Sequence, residues 1–122
     1  MDLCNAFSLV FATPCAVFDV TKIEGRIDVK HGTGKEVYET FSGEDEIIED
    51  GEIAFIDDAG NAHSRRWCHR QSGLSAMQSE TKEVLIYVEA HHATADTDID
   101  TMLTAITRQL ESVGVEFVST IL

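Results

Sequence analysis

The stretch Arg65-Arg66-Trp67-Cys68-His69-Arg70-Gln71-Ser72 is the part of this chain around which the other predicted elements are arranged. It contains three of the nine basic residues and the only tryptophan, whereas the whole chain has a formal net charge of −13. An acidic turn precedes it and an apolar strand follows it. Two interpretations stay open: a strand that presents an anion- or carbonyl-binding surface, or a strand with a charged outer face and a core tryptophan.

Length and composition indicate one globular domain spanning residues 1–122. The chain is 43% hydrophobic and 25% charged, and a chain of this length can bury a real core. No apolar run approaches the ~20 residues of a membrane span, and no export signal is recognisable. We therefore expect no membrane partner and a cytoplasmic location. The odd count of three cysteines, without CxxC spacing, predicts reduced and mostly buried thiols.

The excess of acidic residues restricts the possible binding partners of the chain. The 22 acidic residues outnumber the nine basic ones, so the chain repels nucleic acid on average. General duplex binding requires many phosphate contacts. Any contact with nucleic acid is therefore expected to be local, through the cluster at 65–70.

Hydrophobic periodicity predicts an α+β fold with two helices and six or seven strands. The helices are expected at 2–11 and 98–113. The strands are expected at 15–20, 26–30, 35–41, 52–57, 62–70, 83–90 and 115–121. The segment 42–51 carries five carboxylates and favours a solvated loop with an apolar clip at Ile47 and Ile48 over a paired-carboxylate site.

The residues offer little support for a metal or a cofactor. His63, His69, His91, His92 and Cys68 are possible ligands. However, adjacent residues such as the last two histidines point to opposite faces of a strand. No phosphate loop and no nucleophile elbow is present. We therefore expect no metal and no cofactor.

Two side chains near the basic cluster carry specific expectations. Glu89 lies on an apolar strand, where a carboxylate requires a partner, and Arg65 or Arg70 is the expected one. Trp67 is expected to point opposite to Arg66 and Cys68 because strand residues alternate faces.

The predicted contacts of Trp67 follow from that alternation. We expect it to be largely buried, against Phe55 or against Leu103 and Ile106 of the second helix.

The order of motifs along the chain resembles the B3/B4 tRNA-editing domain of the phenylalanyl-tRNA synthetase beta subunit and its free-standing relatives. The resemblance rests on an ordered set that covers most of the chain: Asp2-x-x-Asn5-x-x-Ser8, Phe18-Asp19, Gly25-x-Ile27-x-Val29, Gly51 to Asp58, Arg66-Trp67, Arg70-Gln71-Ser72, Thr81, Val84-Leu85 and Glu89. It implies a sandwich-like antiparallel or mixed β core of six or seven strands with two flanking helices.

The resemblance also implies site residues. The substrate-binding residues would be Asn5, Arg66, Arg70, Gln71 and Ser72, with Glu89 as the catalytic residue. We expect Glu89 and the four residues of the basic cluster to line one pocket.

This sequence also departs from the family pattern. Ala16 occupies the position of the synthetase's editing histidine, and Glu89 is displaced by two residues from the family's glutamate. The chain also starts inside the first motif, so the family's upstream segment is expected to be missing.

The function implied is recognition of the aminoacyl 3′ end of tRNA and possible hydrolysis of a misacylated ester, which would make the protein an aminoacyl-tRNA deacylase. The alternative is a non-catalytic small-molecule or protein-binding module that kept the fold and lost the editing chemistry. A homodimer is expected, because apolar residues lie at both ends of the chain and a terminal edge strand favours pairing with another chain.

Overall fold

The computed structural model describes residues 2–116, which form two compact units. The first unit comprises residues 16–87, and the second comprises residues 2–15 with the segment that begins at Val88. Within the described residues, no helix is both long enough and apolar enough to cross a membrane.

The described elements are two α-helices, eight strands and one short 3-10 helix, which confirms the predicted α+β class. In chain order they are α1 (Asp2–Phe11), β1 (Cys15–Asp19), the 3-10 helix (Val20–Lys22), β2 (Ile27–His31), β3 (Val37–Glu39), β4 (Asp45–Ile47), β5 (Ile53–Asp57), β6 (Ala62–Arg65), β7 (Arg70–Gln71), β8 (Val84–Val88) and α2 (Ala95–Ser112).

A four-stranded antiparallel sheet in the order β2-β5-β6-β7 forms the centre of the first unit. Strand β5 is buried on both faces, because successive side chains of a strand point in opposite directions. Ala54 and Ile56 join an apolar cluster with Tyr38 and Ile48. Phe55 joins another cluster, which contains Ala16 and Phe18. The sheet therefore has an apolar layer on each face, in agreement with the predicted sandwich-like core.

The predicted strand over 62–70 is wrong, because the chain turns within it. Strand β6 ends at Arg65, residues 66–69 form a turn, and β7 returns antiparallel with Arg65 opposite Arg70. Arg66 and Trp67 have φ angles of 49° and 64°, which are left-handed values that bulky residues adopt rarely. The basic cluster is therefore a β-hairpin, which we call the basic hairpin (residues 65–72).

The expected packing of Trp67 near Phe55 is confirmed, whereas its expected orientation opposite to Cys68 is wrong. Its side chain is half-buried, and both Trp67 and Cys68 pack against the cluster of Ala16, Phe18 and Phe55. The alternation of faces does not apply, because the two residues lie in a turn.

The acidic segment 42–51 contains a strand that the sequence prediction missed. Strand β4 pairs antiparallel with β3. Ile48 is fully buried, whereas Ile47 is 54% exposed. The predicted apolar clip therefore consists of Ile48 alone.

In the second unit, α1 has the predicted bounds and packs against α2. Helix α2 begins at Ala95, before the predicted start at Asp98, and it buries Met102 and Ile106. The predicted last strand falls mainly on residues 117–121, which lie outside the described residues.

Candidate functional site

Arg65 fixes the base of the basic hairpin through charged hydrogen bonds. Its Nε and Nη2 donate to the two carboxylate oxygens of Glu52 at 2.9 and 2.8 Å, and its Nη1 donates to Glu46 at 2.5 Å. Such a two-point pairing is strong and directional. The hydrogen bonds from Arg65 lower the pKa of Glu52 to about 2, although burial opposes them. The same pairing raises the pKa of Arg65.

The ring of Tyr38 lies beneath two guanidinium groups of the hairpin. The Cζ atoms of Arg65 and Arg70 are 5.6 and 5.4 Å from the ring centroid, within the range of cation–π attraction. The Tyr38 hydroxyl donates to the backbone carbonyl of Gln71 at 2.8 Å. Arg70 also pairs with Glu46 at 3.5 Å. Both arginines are therefore held in place by aromatic and acidic neighbours.

Arg66 differs from these two arginines because its side chain is exposed at the start of the turn. Its backbone N–H donates to Glu52 at 2.9 Å. Its guanidinium makes no hydrogen bond or ion pair with any residue between 2 and 116. The geometry therefore anchors the backbone of Arg66 and leaves its charge available to a ligand.

Gln71 and Ser72 direct their side chains to the backbone of the first unit. The Gln71 amide donates to the carbonyl of Val17. The Ser72 hydroxyl is fully buried and donates to the carbonyl of Glu39 at 2.9 Å. These two polar side chains therefore position the segment that leaves the hairpin.

Glycine follows these two residues for a steric reason. A Cβ atom at Gly73 would stand 2.5 Å from the carbonyl oxygen of Thr40. This close approach of two backbone segments excludes any larger residue without movement of the chain.

The other two predicted site residues, Asn5 and Glu89, belong to the second unit. Asn5 is exposed on α1. Glu89 is half-buried, and its carboxylate contacts the ring of His91. The grouping of Asn5 and Glu89 with the basic hairpin stays a prediction. Among the described residues, no three side chains of His, Cys, Asp or Glu are arranged to hold a metal ion.

Asp19 and Thr81 belong to two of the motifs that resemble the family, and their side chains are hydrogen-bonded to each other. This buried carboxylate accepts hydrogen bonds from the hydroxyls of Thr21 at 2.6 Å and Thr81 at 2.7 Å. These hydrogen bonds lower the pKa of Asp19. Ala16, nearby on β1, is only 5% exposed and lies in the apolar cluster. The position that resembles the family's histidine therefore carries no polar group.

A buried pair formed by Asp57 and His63 was missed by the sequence analysis. His63 Nε2 is 2.9 Å from Asp57 Oδ2, and both side chains have no exposed surface. An ionised carboxylate only accepts hydrogen bonds, so Nε2 is the donor. The acidic turn at 57–61 was the available signal, because an aspartate in a turn often binds nearby backbone N–H groups.

The carboxylate of Asp57 accepts hydrogen bonds from several neighbouring groups. Besides His63, it accepts from the backbone N–H groups of Glu24, Ala59 and Asn61 and from the Asn61 amide. Burial alone would raise the pKa of Asp57, but these hydrogen bonds lower it to about 2.

Comparison with known proteins gives two similarities. The family model described as the B3/4 domain matches residues 1–113. The structure is similar to an N-terminal fragment of the phenylalanyl-tRNA synthetase beta-subunit from Pyrococcus horikoshii, with a TM-score of 0.65 and 19% sequence identity. The match covers 86% of this chain and 38% of that chain. At this identity the likeness shows a shared fold. No curated protein matches the sequence.

Proposed function

Because this chain belongs to the B3/4 domain family, we propose that residues 1–122 form a single tRNA-related domain that binds the aminoacyl 3′ end of tRNA in the cytoplasm and hydrolyses a misacylated ester. The observation that carries the proposal is the exposed guanidinium of Arg66 on an anchored backbone. Arg65 and Arg70 stand beside it but are already paired with carboxylates. Arg66 is therefore the proposed phosphate contact.

The charge of the chain limits how the tRNA is held. With a net charge of −13, a broad electrostatic surface for RNA is not expected. Binding through about one phosphate contact predicts a weak salt dependence, with a slope of log K against log salt of roughly −1. Specificity for the aminoacyl end would then come from contacts with the terminal nucleotide and the amino acid.

Glu89 is the proposed catalytic residue for ester hydrolysis. A carboxylate within hydrogen-bond reach of a water molecule accepts its proton as the water attacks the ester carbonyl. In this chain Ala16 lies in an apolar cluster, so that position supplies no base. The proposal therefore assigns activation of the water to Glu89.

The test measures deacylation of a panel of mischarged tRNAs together with gel shifts of uncharged tRNA at two salt concentrations. Arg66→Ala is expected to weaken tRNA binding about tenfold, which corresponds to loss of one hydrogen bond to a charged group. Arg108→Ala, which removes an exposed arginine of α2, is the matched control and should bind as the wild type does. Equal binding by both variants would contradict the role of Arg66.

The role of Glu89 in ester hydrolysis is tested separately from tRNA binding. Glu89→Gln should abolish deacylation and leave the gel shift unchanged. Deacylation by this variant at the wild-type rate would remove Glu89 from the mechanism.

A second candidate function is a non-catalytic small-molecule or protein-binding module. Two observations favour it. The side chains of Gln71 and Ser72 already donate hydrogen bonds to backbone carbonyls, and Ala16 has apolar surroundings. Both features leave fewer polar groups available for chemistry. Under this alternative the wild type would hydrolyse none of the mischarged tRNAs at any concentration.

We also propose that the protein is a homodimer. Leu9 and Val10 on α1 are 83% and 76% exposed, and Val113 after α2 is 69% exposed. Burial of apolar surface yields about 25 cal/mol per Å² before the cost of association. Analytical ultracentrifugation at tens of micromolar in physiological salt should give twice the monomer mass, whereas a monomer would refute this part of the proposal.

A further inference from the structure

Strand β2 (Ile27–His31) forms one edge of the four-stranded sheet in the first unit. Among the strands described between residues 2 and 116, it pairs with β5 alone. On this strand Val29 is 42% exposed, and Lys30 and His31 are exposed as well. An edge strand presents backbone N–H and C=O groups that pair readily with another strand. The outer edge of β2 is therefore a candidate interaction surface.

The hydrogen bonds at the two ends of β2 show which of its backbone groups point outward. At one end the N–H of Asp58 donates to the carbonyl of Arg26 at 3.1 Å. At the other end the N–H of Gly32 donates to the carbonyl of Glu52 at 2.8 Å. Both pairs continue the register of β2 with β5, and bonded pairs alternate along an antiparallel ladder. The even-numbered residues of β2 therefore bond to β5, and the backbone groups of its odd-numbered residues point away from the sheet.

The charges of β2 favour one register of pairing with a second copy of the same strand. In an antiparallel pair centred on Val29, Asp28 of one copy lies opposite Lys30 of the other, in both directions. A centre one residue earlier or later places two Asp28 or two Lys30 side chains opposite each other. Opposite charges across a strand pair stabilise it, and like charges directly opposite destabilise it. Strand β2 is therefore complementary to itself in the register centred on Val29.

We propose that two copies of this chain associate through β2, antiparallel and about a two-fold axis at Val29, to form one continuous sheet. This inference rests on the homodimer proposed above and names its interface. In this register the outward backbone groups of Ile27, Val29 and His31 bond to the same set in the second copy. Symmetric pairing of identical surfaces is the commonest closed arrangement of protein chains.

Asp28 and Lys30 are well placed for ion pairs across this interface. They fall between the bonded pairs, where opposing Cα atoms approach to about 4.5 Å. Within its own chain Asp28 makes a long ion pair of 3.9 Å with Arg26, whose side chain is 79% exposed. A lysine on an edge strand normally discourages pairing, because its charge would meet no partner. Here Asp28 of the second copy supplies the opposite charge.

The test compares two charge reversals, each alone and in an equimolar mixture. Asp28→Lys and Lys30→Asp each place like charges opposite each other in a homodimer, so each is expected to raise the dimer Kd about tenfold. In a mixed dimer one chain carries lysine at both positions and the other carries aspartate at both. The mixture is therefore expected to regain a Kd close to that of the wild type. Sedimentation equilibrium in physiological salt measures all the samples.

Two further variants make this test specific to β2. Asp45→Lys makes the same change of charge at an exposed residue of β4, and it should dimerise as the wild type does. Val29→Pro removes an outward N–H group and spares those that bond to β5, as proline does on edge strands. Its Kd should rise at least about tenfold, with the far-UV circular dichroism of the wild type.

The possible outcomes separate this interface from the homodimer itself. A wild-type dimer whose Kd is unchanged by both charge reversals would overturn the β2 interface and leave the homodimer standing. A mixture that dimerises as weakly as the single variants would overturn the register centred on Val29. A wild type that stays monomeric at tens of micromolar would refute the homodimer and, with it, the interface.

Discussion

Replacing Asp57 with asparagine is expected to reduce the free energy of unfolding by about 3–5 kcal/mol, because at least two buried hydrogen-bond donors would lose their acceptor at a cost of about 1–3 kcal/mol each. The Asp57 side chain has no exposed surface, and every polar contact that its carboxylate makes is with a hydrogen-bond donor. The amide NH₂ group of asparagine is itself a donor. In either orientation it would therefore face at least two donors and leave His63 or the turn backbone unsatisfied.

Asp50→Asn is the matched control for this prediction. Asp50 is exposed, and surface substitutions usually change stability by no more than about 0.5 kcal/mol. Urea unfolding of both variants at pH 7 measures the difference. A change of less than about 1 kcal/mol for Asp57→Asn would show that the hydrogen-bond network contributes little net stability.

The loss of unfolding free energy in Asp57→Asn is expected to depend on pH. The pKa of Asp57 is about 2 in the folded protein, below the value of about 3.9 for an unperturbed aspartate. The contribution of its ionised form is therefore fully present above pH ~4 and is lost as the pH falls towards 2. The stability difference between wild type and Asp57→Asn should shrink over the same window.

Replacing Arg65 with methionine is expected to cost a similar amount, about 3–5 kcal/mol, because it leaves the buried carboxylate of Glu52 without its cation and removes the nearer of the two cations paired with Glu46. Arg65 is only 5% exposed and is the shared partner of Glu52 and Glu46. Glu52 also fixes the backbone N–H of Arg66. If the proposed function is right, Arg65→Met therefore weakens tRNA binding as well as stability.

A double-mutant cycle isolates the pairing energy. Glu52→Leu alone leaves the Arg65 charge partly unpaired, whereas the double variant Arg65→Met with Glu52→Leu removes both charges. We expect the double variant to be more stable than the sum of the two single effects predicts, with a coupling of about 1–3 kcal/mol. Arg26→Met, at an exposed arginine with long ion pairs of 3.8 and 3.9 Å, should change stability by less than about 0.5 kcal/mol.

Much of the secondary structure could be predicted from the sequence. Helix α1 has the predicted bounds, and α2 covers most of the predicted range 98–113. Strand β5 lies within the predicted 52–57. The ordered motifs also indicated the family that the match over residues 1–113 confirms. These features depend on local periodicity and on residue order, which a single sequence displays directly.

The basic hairpin shows where local patterns fail. Residues 62–70 contain no glycine or proline to mark a turn, so they were predicted as one strand. In the structure, Arg66 and Trp67 adopt left-handed backbone angles. The hydrogen bond from Arg66 to Glu52 and that from the Trp67 N–H to the carbonyl of Ile53, at 2.8 Å, hold this turn. Both contacts come from β5 or the residue before it, so local propensity could not show the turn.

By itself, the sequence determined the α+β class, most of the elements and the family, because these depend on which residue types follow one another. Only the tertiary structure decided which polar groups are neutralised. It buried Asp57 against His63 and paired Arg65 with Glu52, whereas it left the Arg66 guanidinium exposed. The physical reason is that a charge is stabilised by whatever lies within a few ångströms of it, and those neighbours come from distant positions in the chain.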